Sequence, residues 1–414
     1  MKLAYRPVIS IIMRFFETAN RAERVDLSPN SNKRILLGQL VSNGDCLYAT
    51  AIARQIKEDF PDCHLTWAIG SNCRAILDGN PHVDEIWEIP LADSREGISE
   101  EVWQKFEREA NARKNEGRFD EVFFTQIVPG NLQNHDGCVR SSIFRGYPNP
   151  ITVSVAPVLR LSPDEVENVA RFAASHRLIE YSNVILFECS PQSEQSFVTP
   201  AFAFEAARLI VAAMPDVCVI LSSHQSFNSS DKHIIDGSVL TLRETAELTK
   251  NCSLLIGCSS GVSWITTSDW AKPLPMIQLP KPDLFHCNSF INDFTRWSLG
   301  ADSVLEMTDC SPDKLLQCVG VIFQSDFGSA KLKFQQRVPI RFSPYFAMQR
   351  TLLRQGKYRG ALRSVLYNIR SNGHSPKFIQ WHVAAWVTHL CPWMLVIALE
   401  VKKSIQALRN KKRD

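Results

Sequence analysis

Hydrophobic and polar positions along this chain fall into two successive runs of alternating strand-like and helix-like pattern. In the first run, residues 34–40 form an apolar stretch behind a basic residue, the pattern of a strand buried on both faces. A turn at Ser42-Asn43-Gly44 leads into a helical pattern over 45–60. Residues 64–69, 85–89 and 120–125 read as further strands, 74–77 as a short helix and 100–115 as a charged amphipathic helix. The second run has strand patterns at 184–188, 217–222, 253–257 and 274–278, with helical patterns at 200–213, 243–250 and 261–270. Between the runs, Ser162-Pro163-Asp164-Glu165 carries the signature of a helix start, with a helix to about His176.

Strands separated by helices imply parallel sheets covered on both faces. The fold class expected is therefore α/β, with two such units in succession and a helical C-terminal extension. The expected division is a leader at 1–32, a first lobe at 33–160, a connection at 161–183, a second lobe at 184–330 and the extension at 331–414. In the extension, 344–355 and 357–371 read as two helices joined at Gly356. Residues 378–399 follow without a single charge and contain Trp381, Trp386 and Trp393.

Charge sharpens this division. The net charge of +3 conceals 17 basic and two acidic residues in 331–414, against 29 basic and 41 acidic in the remainder. An acidic body with a basic arm suits an anionic partner for the arm. The uncharged 378–399 stretch holds Gln380, His382, Thr388, His389 and Pro392, which argues against a membrane span. Its tryptophans and the basic cluster behind it suit a helix lying on an anionic membrane surface through 378–413; packing onto the body is the alternative. No nucleic-acid-binding pattern accompanies the basic residues, so nucleic acid is not expected. The 12 cysteines show no CxxC pair and lie mostly in apolar stretches, as reduced thiols of a cytoplasmic protein would. The apolar run near the N-terminus is too short for a signal peptide. His82, His135 and His286 lack metal-ligand spacing, so no metal and no other cofactor is expected.

Three turns carry the candidate chemistry. Turns that follow parallel strands lie at the carboxyl edge of a sheet, where α/β proteins bind ligands. Asn43 and Gly44 form one such turn, and Asp45 starts the helix behind it. Its carboxylate either caps backbone N–H groups or acts as a general base. Gly257-Cys258-Ser259-Ser260-Gly261 links an apolar strand to a helix and could cradle a diphosphate; it could equally be a plain connection. It is neither GxGxxG nor a P-loop. The polar loop 189–197, with Ser193, Gln195 and Ser196, follows a third strand end, and His224 and Gln225 a fourth.

Residues 34–89 resemble the opening of glycosyltransferase family nine, the ADP-heptose lipopolysaccharide heptosyltransferases and their relatives. The similar features are a strand, a turn ending Gly44-Asp45, Ala49-Thr50-Ala51 in the helix, Phe60-Pro61-Asp62, and Asn80-Pro81-His82-Val83-Asp84 before a strand. The resemblance resumes over 184–202 and again over 241–273. It implies a GT-B fold of two Rossmann-like lobes and a nucleotide sugar held mainly by the second lobe. It also implies a base at Asp45 and donor contacts at Gln195, Ser259, Ser260 and Gly261; position after a strand adds Ser193 and Ser196 as donor-phosphate candidates and His224 and Gln225 as nucleotide candidates. The chain departs from the family pattern at Gln195 and Phe197, where Lys and Trp are usual, at Ser259, where Asp is usual, and at Ala51, where Pro is frequent. The expectation is an inverting glycosyltransferase at the cytoplasmic face of a membrane, acting on a glycan or lipid-linked acceptor. The alternatives are a non-catalytic GT-B scaffold that binds a nucleotide or glycan, and a GT-B sugar-nucleotide epimerase or hydrolase.

Overall fold

The computed structural model describes residues 32–91, 98–127, 130–191, 194–282, 284, 287–373 and 376–391. The expected leader, Ser193, His286 and the 392–413 part of the basic arm lie outside the described residues.

The described residues divide into two compact units: one within 25–130 and 138–339, the other within 131–137 and 340–391. The larger unit contains two parallel sheets. Its first lobe consists of β1 (Arg34–Gly38), α1 (Asn43–Asp59), β2 (His64–Gly70), β3 (Glu85–Ile89), α2 (Glu100–Asn115), β4 (Glu121–Phe124) and α3 (Val139–Phe144). The strand order is β3-β2-β1-β4, all parallel. Helix α4 (Pro163–Ser175) connects the lobes behind a full capping box at Ser162 and Glu165.

The second lobe consists of β5 (Asn183–Glu188), α5 (Pro200–Ala213), β6 (Val217–Ser222), β7 (Ile234–Asp236), α6 (Leu242–Leu248), β8 (Leu254–Gly257) and α7 (Gly261–Ile265), followed by β9 (Met276–Gln278), α8 (Phe290–Arg296), β10 (Val304–Glu306), α9 (Pro312–Gln324) and α10 (Phe327–Phe334). Its order, β10-β9-β8-β5-β6-β7, is that of a complete Rossmann sheet, with the switch point between β5 and β8. The first sheet has the corresponding switch between β1 and β4. Both lobes are thus Rossmann-like, the GT-B arrangement the sequence leads one to expect.

Packing explains the register of these strands. Leu36 and Ile35 point to opposite faces of β1, and both are fully buried, as in a strand with helices above and below. One apolar cluster runs through both lobes, from Ile35 and Leu47 to Leu186, Trp264 and Phe290. Charged side chains fasten the same boundary. Asp269 of the second lobe accepts from Arg54 at 2.7 Å and from Arg160 at 3.0 Å. Arg243 donates to Glu165 at 2.6 Å and to the carbonyl oxygens of Ala75 and Asp78 at 3.0 and 3.1 Å.

The smaller unit holds α11 (Pro344–Arg354), α12 (Tyr358–Asn372) and α13 (Pro376–Leu390). Gly356, at φ +69°, takes the turn between the first two. Segment 131–137 is held against α12: Asn368 donates to the His135 carbonyl oxygen at 3.2 Å and Ser371 to the Asp136 carboxylate at 2.8 Å. Gly137 is required there, because a Cβ would stand 2.1 Å from the Tyr345 hydroxyl. On α13, Phe378, His382 and Ala385 are buried, while Ile379, Trp381, Val383 and Leu390 are exposed. No helix among the described residues is long and apolar enough to cross a membrane.

Candidate functional site

The two switch points meet. A Cβ at Gly261 would stand 3.4 Å from the Asn43 Cβ, and one at Gly44 would stand 3.2 Å from the Trp264 ring. The turn before α1 therefore touches the turn before α7, and glycines at both make the approach possible. Asn43, Gly44, Asp45, Ser259, Ser260 and Gly261 are brought together by residues more than 200 positions apart in sequence.

Asp45 does not cap its helix. Ser42 holds the cap position with φ 72°, and Asp45 sits in the first turn. Among the described residues no hydrogen bond or ion pair engages its carboxylate. Part of its surface stays open, yet protein surrounds it closely enough that desolvation pushes its pKa from 3.8 to about 7. A helix N-terminus by itself would lower that pKa. Here burial outweighs it, desolvation being the cause of the raised value.

The second turn is arranged differently. Gly257 ends β8 where a Cβ would come within 2.4 Å of the Gln278 amide and the Ser263 hydroxyl. Ser259 takes a left-handed conformation at φ 55°; its N–H donates to Gln278 at 3.0 Å and its hydroxyl to the Asn288 carbonyl oxygen at 2.9 Å. Glu188, at the carboxyl end of β5, accepts from the Ser260 hydroxyl, from the Ser263 hydroxyl at 2.6 Å and from the Cys258 N–H at 2.7 Å. The hydroxyls of Ser259 and Ser260 are thus engaged within the protein, and any anion at this turn would be received by backbone N–H groups of the first turn of α7.

The Ser196 hydroxyl is likewise engaged: it donates to the Leu279 carbonyl oxygen at 2.5 Å and accepts from Val198 N–H at 3.2 Å. Gln195 anchors its loop through its carbonyl oxygen, which accepts from Lys281 N–H at 2.9 Å and from Asn288 at 2.6 Å, leaving its side chain partly exposed. His224 and Gln225 are exposed beyond β6, with the His224 ring 2.9 Å from Ser190.

Several residues of this region escape a sequence reading. Arg140 on α3 and Asp293 on α8 form a buried ion pair at 3.0 Å between the lobes. The Arg140 guanidinium lies 4.6 Å from the Tyr48 ring and 5.4 Å from that of Trp264, which stacks on Phe290 at 3.7 Å. Nothing in the spacing of Arg140 and Asp293 signals the pair. Glu188 was legible in principle, since a charged residue closes an otherwise apolar strand. Among the described residues, no group of three His, Cys, Asp or Glu side chains stands together as a metal site would require.

The fold and the paired switch points define a two-lobed Rossmann-type protein of the GT-B class. Among solved structures, the chain is similar to a family 9 glycosyl transferase from Veillonella parvula DSM 2008, at 16% identity and TM-score 0.45 over 72% of this chain and 93% of that one. It is similar to E. coli ADP-heptose lps heptosyltransferase II at 14% and 0.46, over 70% of this chain and 99% of that one. It is also similar to a putative UDP-N-acetylglucosamine 2-epimerase from Listeria monocytogenes at 10% and 0.46, over 79% and 97%. No protein-family model and no curated protein matches the chain. Likeness at these values assigns no activity to this chain.

Proposed function

We propose that this chain is an inverting glycosyltransferase that moves a sugar from a nucleotide-sugar donor to a hydroxyl of a surface-glycan or lipid-linked acceptor. The observation that carries the reading is Asp45: a carboxylate without a hydrogen-bond or ion-pair partner among the described residues, with a pKa near 7, next to the Asn43-Gly44 turn that touches the strand-to-helix turn of the other sheet. A base of that pKa is ionised in half the molecules at neutral pH and binds a proton well. Asp45 takes the acceptor proton, the oxygen attacks the anomeric carbon, and the nucleoside diphosphate leaves toward the N–H groups at 261–263. No metal takes part, so chelation by EDTA should leave the rate unchanged. Strict dependence on an added divalent ion would contradict this.

The engaged hydroxyls of Ser259, Ser260 and Ser196 favour one second reading, a GT-B scaffold that binds a nucleotide or glycan without transfer. Nucleotide release from a panel of nucleotide sugars, with and without glycolipid acceptors, separates the two. Transfer predicts release that depends on the acceptor; saturable binding without release supports the scaffold. Release independent of any acceptor would indicate hydrolysis or epimerisation. The exposed apolar side chains of α13, in a helical unit rich in Arg and Lys, support peripheral contact with an anionic membrane. Flotation with anionic vesicles should be lost as salt rises; salt-independent flotation would contradict an electrostatic surface contact.

A further inference from the structure

We propose that Lys281 supplies the positive charge that holds the diphosphate of the donor at the 257–261 turn. The proposal rests on the reading of this turn as the nucleotide-sugar side of the site, and holds whether or not transfer follows. A diphosphate carries several negative charges at neutral pH, and holding it against protein requires a compensating cation. The turn itself provides none. The Ser259 and Ser260 hydroxyls are engaged within the protein, and α7, at five residues, has few aligned peptide dipoles to offer. The Glu188 carboxylate, which accepts from Ser260, Ser263 and the Cys258 N–H, adds a negative charge beside the same turn.

Lys281 is placed to offset that charge. In the loops that follow β5, β8 and β9, residues 189–199, 258–260 and 279–289, it is the single lysine or arginine. These three strands are parallel neighbours, so their loops leave the sheet at one edge, the edge where α/β proteins bind ligands. Backbone bonds draw the loops together. Leu279 N–H donates to the Gly257 carbonyl oxygen at 2.9 Å, and Ser196 pairs with Pro280 in an isolated bridge. Lys281 N–H donates to the Gln195 carbonyl oxygen at 2.9 Å. The same oxygen accepts from the Asn288 side chain at 2.6 Å, and the Asn288 carbonyl oxygen accepts from the Ser259 hydroxyl at 2.9 Å. Lys281 is thus tied to Gln195 and, through Asn288, to the turn itself. Its side chain is partly buried and makes no ion pair or hydrogen bond among the described residues. Other lysines of the same lobe are engaged: Lys272 donates to the Cys252 carbonyl oxygen at 2.9 Å and Lys331 to that of Ala301 at 2.6 Å. An ammonium on a flexible four-carbon stem binds phosphate as a point charge and needs no fixed fork of donors.

The test measures binding rather than turnover. Calorimetric titration of the full chain with UDP, ADP, GDP and CDP, and with the matching nucleosides, should find at least one diphosphate bound more tightly than its nucleoside. Lys281→Met should weaken that diphosphate by roughly 10- to 100-fold, the loss expected for one hydrogen bond to a charged group, and leave the weaker binding of the nucleoside unchanged. Lys281→Arg should recover most of the affinity. Diphosphate binding should fall as salt rises, and less steeply in Lys281→Met. Lys232→Met removes the same charge from an exposed position two residues before β7, at the opposite edge of the sheet, and should change nothing. The Lys281 N–H persists in both variants, so the backbone bond to Gln195 is kept. The proposal is overturned if Lys281→Met binds the diphosphate like wild type, if Lys232→Met weakens it equally, or if no diphosphate of the panel binds. A Lys281 effect on binding in a protein that transfers no sugar would refute the transfer reading and leave this one standing. Transfer with diphosphate binding untouched by Lys281→Met would refute this one alone.

Discussion

The two strand-to-helix turns at the switch points occupy equivalent places in equivalent sheets, yet they treat their polar groups in opposite ways. At 42–45 the one ionisable side chain, Asp45, has no partner among the described residues, and desolvation sets its pKa near 7. At 257–263 the carboxylate brought in by Glu188 takes three donors, and the hydroxyls of Ser259, Ser260 and Ser263 are all engaged. A buried polar group with satisfied partners stabilises the fold, whereas one without them raises the energy of the folded state and is available for chemistry. The same topology thus yields one turn whose polar groups are satisfied and one, under the proposed function, that is free to react, and substitutions in the two should have opposite consequences.

Asp45→Asn gives the largest effect. The account predicts a loss of about 10²–10⁴ in kcat, the usual worth of a general base, with donor affinity little changed. Retention of near-wild-type kcat with a working acceptor would make the two turns alike. Glu188→Ala tests the other side. It strands the Ser260 and Ser263 hydroxyls and the Cys258 N–H, so unfolding in denaturant should show a loss of about 3 kcal/mol. A loss within about 0.5 kcal/mol, the range of a neutral surface change, would mean that the three donors find water instead.

A smaller effect separates the turns by pH. The pKa of Asp45 is raised on folding, so its contribution to stability is full below pH 3.8 and is lost as pH rises through about 7. Asp45→Asn should therefore raise the melting temperature relative to wild type at pH 8 and make little difference near pH 4. Glu306, also raised to about 7 by burial despite hydrogen bonds from Ser289 and the Ile291 N–H, titrates in the same window, so the variant should keep part of the slope. A variant no more stable than wild type at pH 8 would mean that the Asp45 carboxylate is well solvated.

The strands of both lobes were legible from the sequence because buried parallel strands read as unbroken apolar runs, as at 34–38 and 217–222. Two strands were not: β7 and β10 have three residues each, too few for a pattern to form. Helix α9 carries a readable start, Ser311 followed by Pro312, the same kind of signal that marks α4, but lies past the last strand that the pattern supplies. Helix α7 is shorter than the expected 261–270 because Thr266 and Thr267 turn their hydroxyls onto the carbonyl oxygens of Ser263 and Trp264, at 2.8 and 2.7 Å. Within the site, the sequence offered Asp45 as a cap or a base; the burial that raises its pKa comes from the folded chain and has no signature in the local pattern. Place after a strand made Ser259, Ser260 and Ser196 candidates for a phosphate; the acceptors that occupy their hydroxyls come from elsewhere in the chain. The Arg140–Asp293 pair joins residues that only the packing of the lobes brings together.

The most direct test of the central claim is the titration of Asp45 itself, followed by carbon-13 NMR of the aspartate carboxyl groups and assigned by the resonance missing from Asp45→Asn. The account predicts a midpoint near 7, set by desolvation without a hydrogen-bonding partner. A midpoint near 4 would show a solvated or capped carboxylate and would contradict the assignment of Asp45 as the base.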